Sequence, residues 1–328
     1  MLRYIISKKD RKNPIFMGCG MVVVQKISLL NRNCVVLARL RQHGSQRERN
    51  GYIMSIFLAI FLGIVQGVTE FLPVSSSGHL SVLQNFFKVS ATDDSHLLFD
   101  VMLHMGTFIA ICFSFRSELR HIFKDAFALA RGEASSAAPS PSVRLGFLII
   151  IATVPLVIII PFYNLLRTLF FQTGFIGFML LITGALTLVS AKLLPPGRKT
   201  EKTMTVGDAL IIGLAQLIAI IPGLSRAGAT ITVGLSRGVE RDFSIRFSLL
   251  MSLPAVLGAM ILTLIKAISN GIDWSILPAA LVGLLFSAVV GVFAIAATRA
   301  IMKGDKWVRF SYYCFIVGVV VILLSIIL

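Results

Sequence analysis

The strongest constraint on this chain is the length of its uninterrupted apolar runs, of which 143–163 and 312–328 are the clearest. Neither run alternates with a period of two, and each approaches the ~20 residues that carry a helix across a hydrocarbon core. In lipid every backbone N–H and C=O must be satisfied inside the structure, which leaves helices or a closed barrel. Continuous apolar runs select helices. Composition agrees: 56% of residues are hydrophobic and 14% charged, against about 25% charged in a soluble domain. Such a chain cannot hide its apolar surface in one water-soluble core, so the bilayer acts as solvent. The expected fold class is an all-α polytopic membrane protein.

The formal net charge of +16 invites a nucleic-acid partner, but its distribution argues against one. Residues 1–53 hold 11 Lys/Arg against Asp10 and Glu48. The remaining excess sits mostly in short loops between apolar runs, as the positive-inside rule requires. Cys19, Cys34, Cys112 and Cys314 form no CxxC spacing, so no disulfide framework or thiolate metal site is expected.

Residues 1–53 differ in character from the rest of the chain. They are basic, lack a 20-residue apolar run, and end in the polar stretch 39–50. The apolar stretch 15–24 is too short to span, and no signal-peptide cleavage site comes after it. Met54 opens a strongly apolar segment at once. The expectation is that translation starts at Met54 and that the extension is an upstream artefact; the alternative is a disordered or interfacial basic arm.

After Met54, six segments have the length of spans: 98–115, 143–163, 174–194, 243–268, 276–298 and 310–328. Two others, 55–87 and 206–236, are interrupted by Pro73 and Pro222 with neighbouring Gly and Ser, and read as helix, polar turn, helix. These two resemble each other. Gly63-Ile-Val-Gln66 matches Gly213-Leu-Ala-Gln216, and Pro73-Val-Ser-Ser-Ser-Gly78 matches Pro222-Gly-Leu-Ser-Arg-Ala-Gly228, at an offset of 149 to 150 residues. The chain is therefore a hairpin plus three spans, twice, over 54–205 and 206–328. A hairpin that enters and leaves by one face changes nothing, so three crossings put the second hairpin on the opposite face. This is an inverted-topology repeat, the arrangement in which broken helices meet near the midplane.

Loop charge tests the parity independently. Segments 116–131, 192–202, 237–246 and 299–309 hold 4, 4, 3 and 4 Lys/Arg, whereas the other side has Lys88, Arg167 and Lys266. The basic side is expected to be cytoplasmic, so the first hairpin enters from outside and the second from the cytoplasm.

Polar residues within membrane segments are costly, and their default reading is functional. The first hairpin carries Gln66, Thr69, Glu70, Ser75, Ser76, Ser77 and His79; the second carries Gln216, Ser225, Arg226 and Thr230. Gln66 and Glu70, four apart, share a helix face. Ser75–Ser77 and Gly78 sit where backbone N–H groups open a new helix, a site suited to anions. Ser225 and Arg226, with the Gly223 and Gly228 backbone, make a similar turn, and Arg226 offers a planar fork for phosphate. The set suits a phosphorylated ligand held at two anion-binding turns. A carboxylate beside phosphate implies a bridging cation, and Mg²⁺ typically uses one or two carboxylates plus substrate phosphates. Ser76 or a water would be the nucleophile, with His79 as acid or base. Plainer roles compete: helix packing for the hydroxyls, a capping or interface role for His79, a purely structural Glu70–Arg226 pair, and inter-helix glue for Gln66 and Gln216. Asp100 and His104 also share one face of the first span.

The stretches Gln66-Gly-Val-Thr-Glu70-Phe-Leu-Pro-Val-Ser-Ser-Ser-Gly-His79 and Pro222-Gly-Leu-Ser-Arg-Ala-Gly-Ala-Thr230 closely resemble the two signature motifs of the bacterial undecaprenyl-diphosphatase, or bacitracin-resistance, family. Further similarity runs through 247–259, and the resemblance covers about 54–328. It implies a membrane phosphatase that removes one phosphate from undecaprenyl diphosphate with a divalent cation, Mg²⁺ or Ca²⁺. The enzyme would lie in the bacterial cytoplasmic (inner) membrane, its site open to the outer face. By the same resemblance Glu70 serves metal and catalysis, with Gln66 assisting as a metal ligand. Ser75, Ser76 and His79 match the first motif, Arg226 matches the diphosphate-binding arginine, and Ser225 and Thr230 lie beside it. Two departures stand out: Gln66 replaces the Glu of many members, and Ala227 replaces a Ser. A lipid-phosphate flippase or transporter is the rival reading of the same scaffold. Homo-oligomerisation is left open.

Overall fold

The computed structural model of the chain describes residues 55–87, 95–133, 140–195, 197–270, 274–302 and 305–327. The extension 1–53 lies outside the described residues, all of which belong to the unit Met54–Leu328. Among the described residues there is no named strand, only an isolated bridge between Lys199 and Val239.

Both interrupted segments form helix–turn–helix hairpins. The first joins α1 (Ile56–Thr69) to α2 (Ser76–Phe86). With 14 residues, α1 reaches about 21 Å at 1.5 Å per residue, short of a ~30 Å hydrocarbon core. The chain breaks after Glu70 because Pro73 has no N–H to continue the ladder, and Ser75 restarts it by accepting from Gly78 N at 3.2 Å.

Between the hairpins run α3 (Ser95–Ser114), α4 (Arg116–Ala130), α5 (Pro141–Thr153), a 3₁₀ segment (Val154–Phe162), α6 (Tyr163–Leu169) and α7 (Thr173–Lys192). The second hairpin joins α8 (Val206–Ile218) to α9 (Arg226–Ser236). After it come α10 (Arg241–Asn270), α11 (Leu277–Met302) and α12 (Val308–Ile327). Among the described residues, five stretches are long and apolar enough to cross a membrane: Pro141–Phe162, Thr173–Lys192, Arg241–Lys266, Trp274–Ile301 and Val308–Ile327. Leu98–Ser114 joins them as a sixth when taken with Arg116–Ala130, to which it is bent by 77°.

Two details depart from the sequence reading. The span expected over 143–163 is α-helical only to Thr153. Pro155 lacks a donor, and the chain tightens into 3₁₀ geometry through a second proline, Pro161. The basic segment 116–131, read as a connection, is a helix with no buried residue that exposes Phe123 and Phe127.

The two repeats interlock through glycines. A Cβ on Gly63 would lie 2.6 Å from the Gly283 carbonyl oxygen, and one on Gly67 would lie 2.8 Å from that of Ser287. So α1 of the first repeat packs backbone-to-backbone on α11 of the second. The mirror contact sets Gly213 of α8 against the Ala152 backbone of α5, and Gly177 of α7 faces Gly318 of α12. Small residues allow this close approach, which stands in for the hydrophobic drive that lipid does not supply.

Candidate active site

The two hairpin turns meet. A Cβ on Gly78 would come within 3.0 Å of Gly223 Cα, and one on Gly228 within 3.5 Å of Pro73 Cβ. Each turn opens its second helix with the same device: Ser75 Oγ accepts from Gly78 N at 3.2 Å, and Ser225 Oγ from Gly228 N at 3.1 Å. Gly223, at φ +95°, makes a bend that an L side chain would strain. Thr183 of α7 clamps that bend, donating to the Gly223 carbonyl at 2.8 Å and accepting from Ser225 N at 2.9 Å. Nothing in the hairpin sequences pointed to Thr183, which lies forty residues away in an ordinary-looking span.

Glu70 is the hub. Its Oε1 accepts from Arg226 Nη2. Its Oε2 accepts from Ser76 Oγ at 2.5 Å and from Gln66 Nε2 at 3.0 Å. Gln66 Nε2 also lies 3.0 Å from Nδ1 of His104 on α3, which brings in a residue the sequence had only placed on one face with Asp100. Gln66 Oε1 is buried with no hydrogen-bond partner among the described residues. Arg226, the first residue of α9, is partly exposed while Glu70 is nearly closed off, with side chains 21% and 5% accessible. The guanidinium thus keeps donors for a ligand on the open side.

Glu70, Ser76, Arg226 and His104 border a cavity of about 550 Å³, which Gln66 does not line; the volume is typical of small-molecule sites. Glu70, Ser75, Ser76, Ser77, Ser225 and Arg226 all line it. Asp100 and His104 extend its polar wall, together with Ser81, Gln84 and Asn85, and Gln84 Nε2 donates to Asp100 Oδ1 at 2.7 Å. The opposite wall is apolar, formed by Leu156, Val157 and Ile160 of the 3₁₀ segment and by Val256, Met260 and Leu262 of α10.

Other expected site residues lie elsewhere. His79 does not line the cavity. Its Nδ1 donates to the Ser75 carbonyl at 2.8 Å, its Nε2 lies 2.8 Å from the Tyr313 hydroxyl of α12, and the rings stack at 5.7 Å. A carbonyl only accepts, so Nδ1 carries the proton and Nε2 of the neutral ring accepts from the phenol. Thr230 donates to the Arg226 carbonyl at 2.8 Å and pairs with Ser248 Oγ at 2.6 Å, supporting the backbone of Arg226 from behind. Gly78 lets the two turns touch at Gly223, whereas a Cβ on Gly228 would crowd Ser225 of its own turn at 3.2 Å.

Residues 59–320 match the profile of the family described as Bacitracin resistance protein BacA. The chain is 40% identical over 275 residues to the undecaprenyl-diphosphatase of Halothermothrix orenii, covering 83% of this chain and 99% of that protein. It is likewise 40% identical over 277 residues to that of Alkaliphilus metalliredigens, with 83% and 99% coverage, and 39% identical over 271 residues to that of Korarchaeum cryptofilum, with 82% and 99%. A profile match over most of the chain and relatives covered almost end to end place the protein: it belongs to the bacitracin resistance protein BacA family.

Proposed function

We propose that this chain hydrolyses undecaprenyl diphosphate to undecaprenyl phosphate and phosphate, the activity for which its curated relatives are named. The reaction returns the lipid carrier to cell-wall synthesis and underlies resistance to bacitracin. One observation carries the reading: a hydroxyl, a carboxylate and a guanidinium, Ser76, Glu70 and Arg226, converge on each other at the polar end of a cavity whose far wall is apolar. An amphiphilic phosphate ester needs both ends.

Arg226 and the backbone N–H groups of the Ser75 and Ser225 turns hold the diphosphate and stabilise the charge that develops on the transferred phosphoryl group. Ser76 already donates to Glu70 Oε2, the relation of a nucleophile to its base. Attack on the terminal phosphorus, by Ser76 or by water, breaks the bond to the bridging oxygen, and the lipid monophosphate leaves. If Ser76 attacks, water then cleaves the phosphoserine to the same products. His79, held between the Ser75 carbonyl and Tyr313, supports the turn that carries Ser76. The prenyl chain far exceeds the cavity, so its first units lie along Leu156, Ile160 and Leu262 and the rest extends into lipid.

A divalent cation, Mg²⁺ or Ca²⁺, fits the donor set in part. Glu70 would supply a carboxylate, and Gln66, which turns its Nε2 toward that carboxylate and does not itself line the cavity, carries an unpartnered Oε1. No group of three or more His, Cys, Asp or Glu stands ready for a metal among the described residues, so substrate phosphates would complete the shell. Such an ion supplies neutralisation of phosphate charge. By the family resemblance the chain would lie in the cytoplasmic membrane with its site open to the outer face; the charge asymmetry of the loops bears on which side of the chain is cytoplasmic.

The test is phosphate release from undecaprenyl diphosphate by the detergent-solubilised protein, with chelator and then Mg²⁺ or Ca²⁺ added back. Stoichiometric phosphate that stops with chelator and returns with metal supports the reading. A transporter on the same scaffold would bind the lipid and release none.

A further inference from the structure

The two repeats place a glutamine at matching positions, and the structure treats the two side chains differently. Gln66 is fully buried and anchored from both sides by Glu70 and His104. Gln216 of α8 is 1% exposed and belongs to the cavity wall. Neither its Nε2 nor its Oε1 has a hydrogen-bond partner among the described residues. The cause is legible in the repeat: four residues after Gln66 stands Glu70, whereas four residues after Gln216 stands Ile220, so the second half lacks the carboxylate that satisfies the first amide. Thr153, a hydroxyl of the same cavity wall, donates to the Ile149 carbonyl at 2.8 Å.

A buried amide with all its hydrogen-bonding capacity unmet is among the least favourable groups in a protein interior. A methionine or leucine of similar size would pack there at less expense. Packing against α5 does not explain it either, because the close contact is made one turn earlier, by Gly213 on the Ala152 backbone.

We propose that Gln216 is a substrate-binding residue whose carboxamide N–H groups donate to an oxygen of the lipid diphosphate, beside Arg226 and at the foot of the apolar wall. Resting on the phosphatase reading, this adds a polar contact from the second hairpin. Glu70 and Ser76 come from the first, so both repeats line the cavity with polar groups for the head group. Because the contact is made to ground state and transition state alike, its loss raises KM more than it lowers kcat.

The experiment compares Gln216→Met, Gln216→Asn and Arg226→Ala with the unmodified full chain in detergent. It measures phosphate release from undecaprenyl diphosphate, thermal melting, and binding of methylenebisphosphonate. A hydrogen bond to a charged oxygen changes affinity by about tenfold or more. Gln216→Met is expected to raise KM by about that factor, to change kcat by less than about threefold, and to melt no lower than the parent. Melting holds up because an unmet amide has been removed. KM within about twofold of the parent overturns the proposal, as does a lower melting point with bisphosphonate affinity retained, which is the signature of a structural amide. If Gln216→Met fails to fold, Gln216→Asn decides by bisphosphonate binding: weaker binding upholds the proposal and unchanged binding overturns it. Arg226→Ala separates the two levels. If it too turns over normally, the site reading has failed; if it is inactive while Gln216→Met is normal, only the role of Gln216 has failed.

Discussion

Arg226 donates to the carboxylate of Glu70 across 156 residues of sequence, and in doing so joins the start of α9 to the end of α1. One contact thus ties the two repeats together and fixes the charge balance of the site. Replacing either residue by Ala is expected to lower phosphate release at least about 100-fold, because in the proposed mechanism each supplies a charged group at the reacting phosphate. Each single variant should also lose stability, because removing one partner of a buried pair leaves the other uncompensated at about 3–5 kcal/mol. The double variant Glu70→Ala/Arg226→Ala should melt above at least one of the singles while staying inactive. Melting in detergent beside the turnover assay checks both halves; strictly additive losses would mean the two side chains do not interact.

Ser75 is the one non-glycine with positive φ among the described residues, at +70°, and it caps α2 through its hydroxyl. Two effects oppose each other at this position. Ser75→Ala removes the cap, worth about 1 kcal/mol, and keeps the strain. Ser75→Gly forfeits only a few tenths for the cap and relieves a conformation that costs about 1 kcal/mol or more. Ser75→Gly is therefore expected to melt higher than Ser75→Ala, and a scan of the two variants decides it.

Glycines at two places in the membrane helices should respond with opposite signs. A Cβ on Gly67 would meet the Ser287 carbonyl oxygen at 2.8 Å and Gly291 N at 3.0 Å, whereas one on Gly258 would meet nothing within 4 Å. Gly67→Ala should destabilise by about 1–3 kcal/mol, as overpacking does where backbone cannot yield. Gly258→Ala, in the interior of α10, should be neutral or stabilise by up to about 1 kcal/mol. Chemical denaturation in mixed micelles measures both.

Asp208 opens α8 on the basic side of the protein, outside the spanning segments. It is fully buried and forms a capping box with Thr205. Burial pushes its carboxyl up, but Lys199 at 2.8 Å, the Thr205 N–H at 3.1 Å and Arg237 at 3.0 Å outweigh it and hold the group well below the usual carboxylate range. A carboxyl depressed in the folded state stabilises above its unfolded value of about 3.9 and loses that contribution as pH falls from there. The melting point should therefore drop with acidification below about pH 4, and Asp208→Asn should flatten that part of the profile. At neutral pH the same variant should melt lower, by about 2 kcal/mol for two charge-assisted bonds and part of a cap.

The periodicity of the chain decided a good deal. Runs near twenty apolar residues allow only helices, and Pro73 and Pro222 among Gly and Ser announce two helices that stop short of crossing. Glu70, Ser76 and Arg226 were legible because polar groups in such segments have no cheap alternative. Two departures were local: Pro155 turned half a span into a 3₁₀ segment, and charged 116–131 coiled into a helix because alternating charges on a polar stretch do not prevent one. What only the tertiary structure decided is which groups face each other. Sequence spacing carries no information about contacts between α3 and α1, or between α7 and the second turn, so it could not join His104 to Gln66 or Thr183 to Gly223. Nor could it point His79 at Tyr313 on a helix 234 residues away. Amphipathic period and proline position are written along one helix at a time, whereas a hydrogen bond between helices depends on rotation and depth, which glycine contacts such as Gly63 on Gly283 set only once the helices pack.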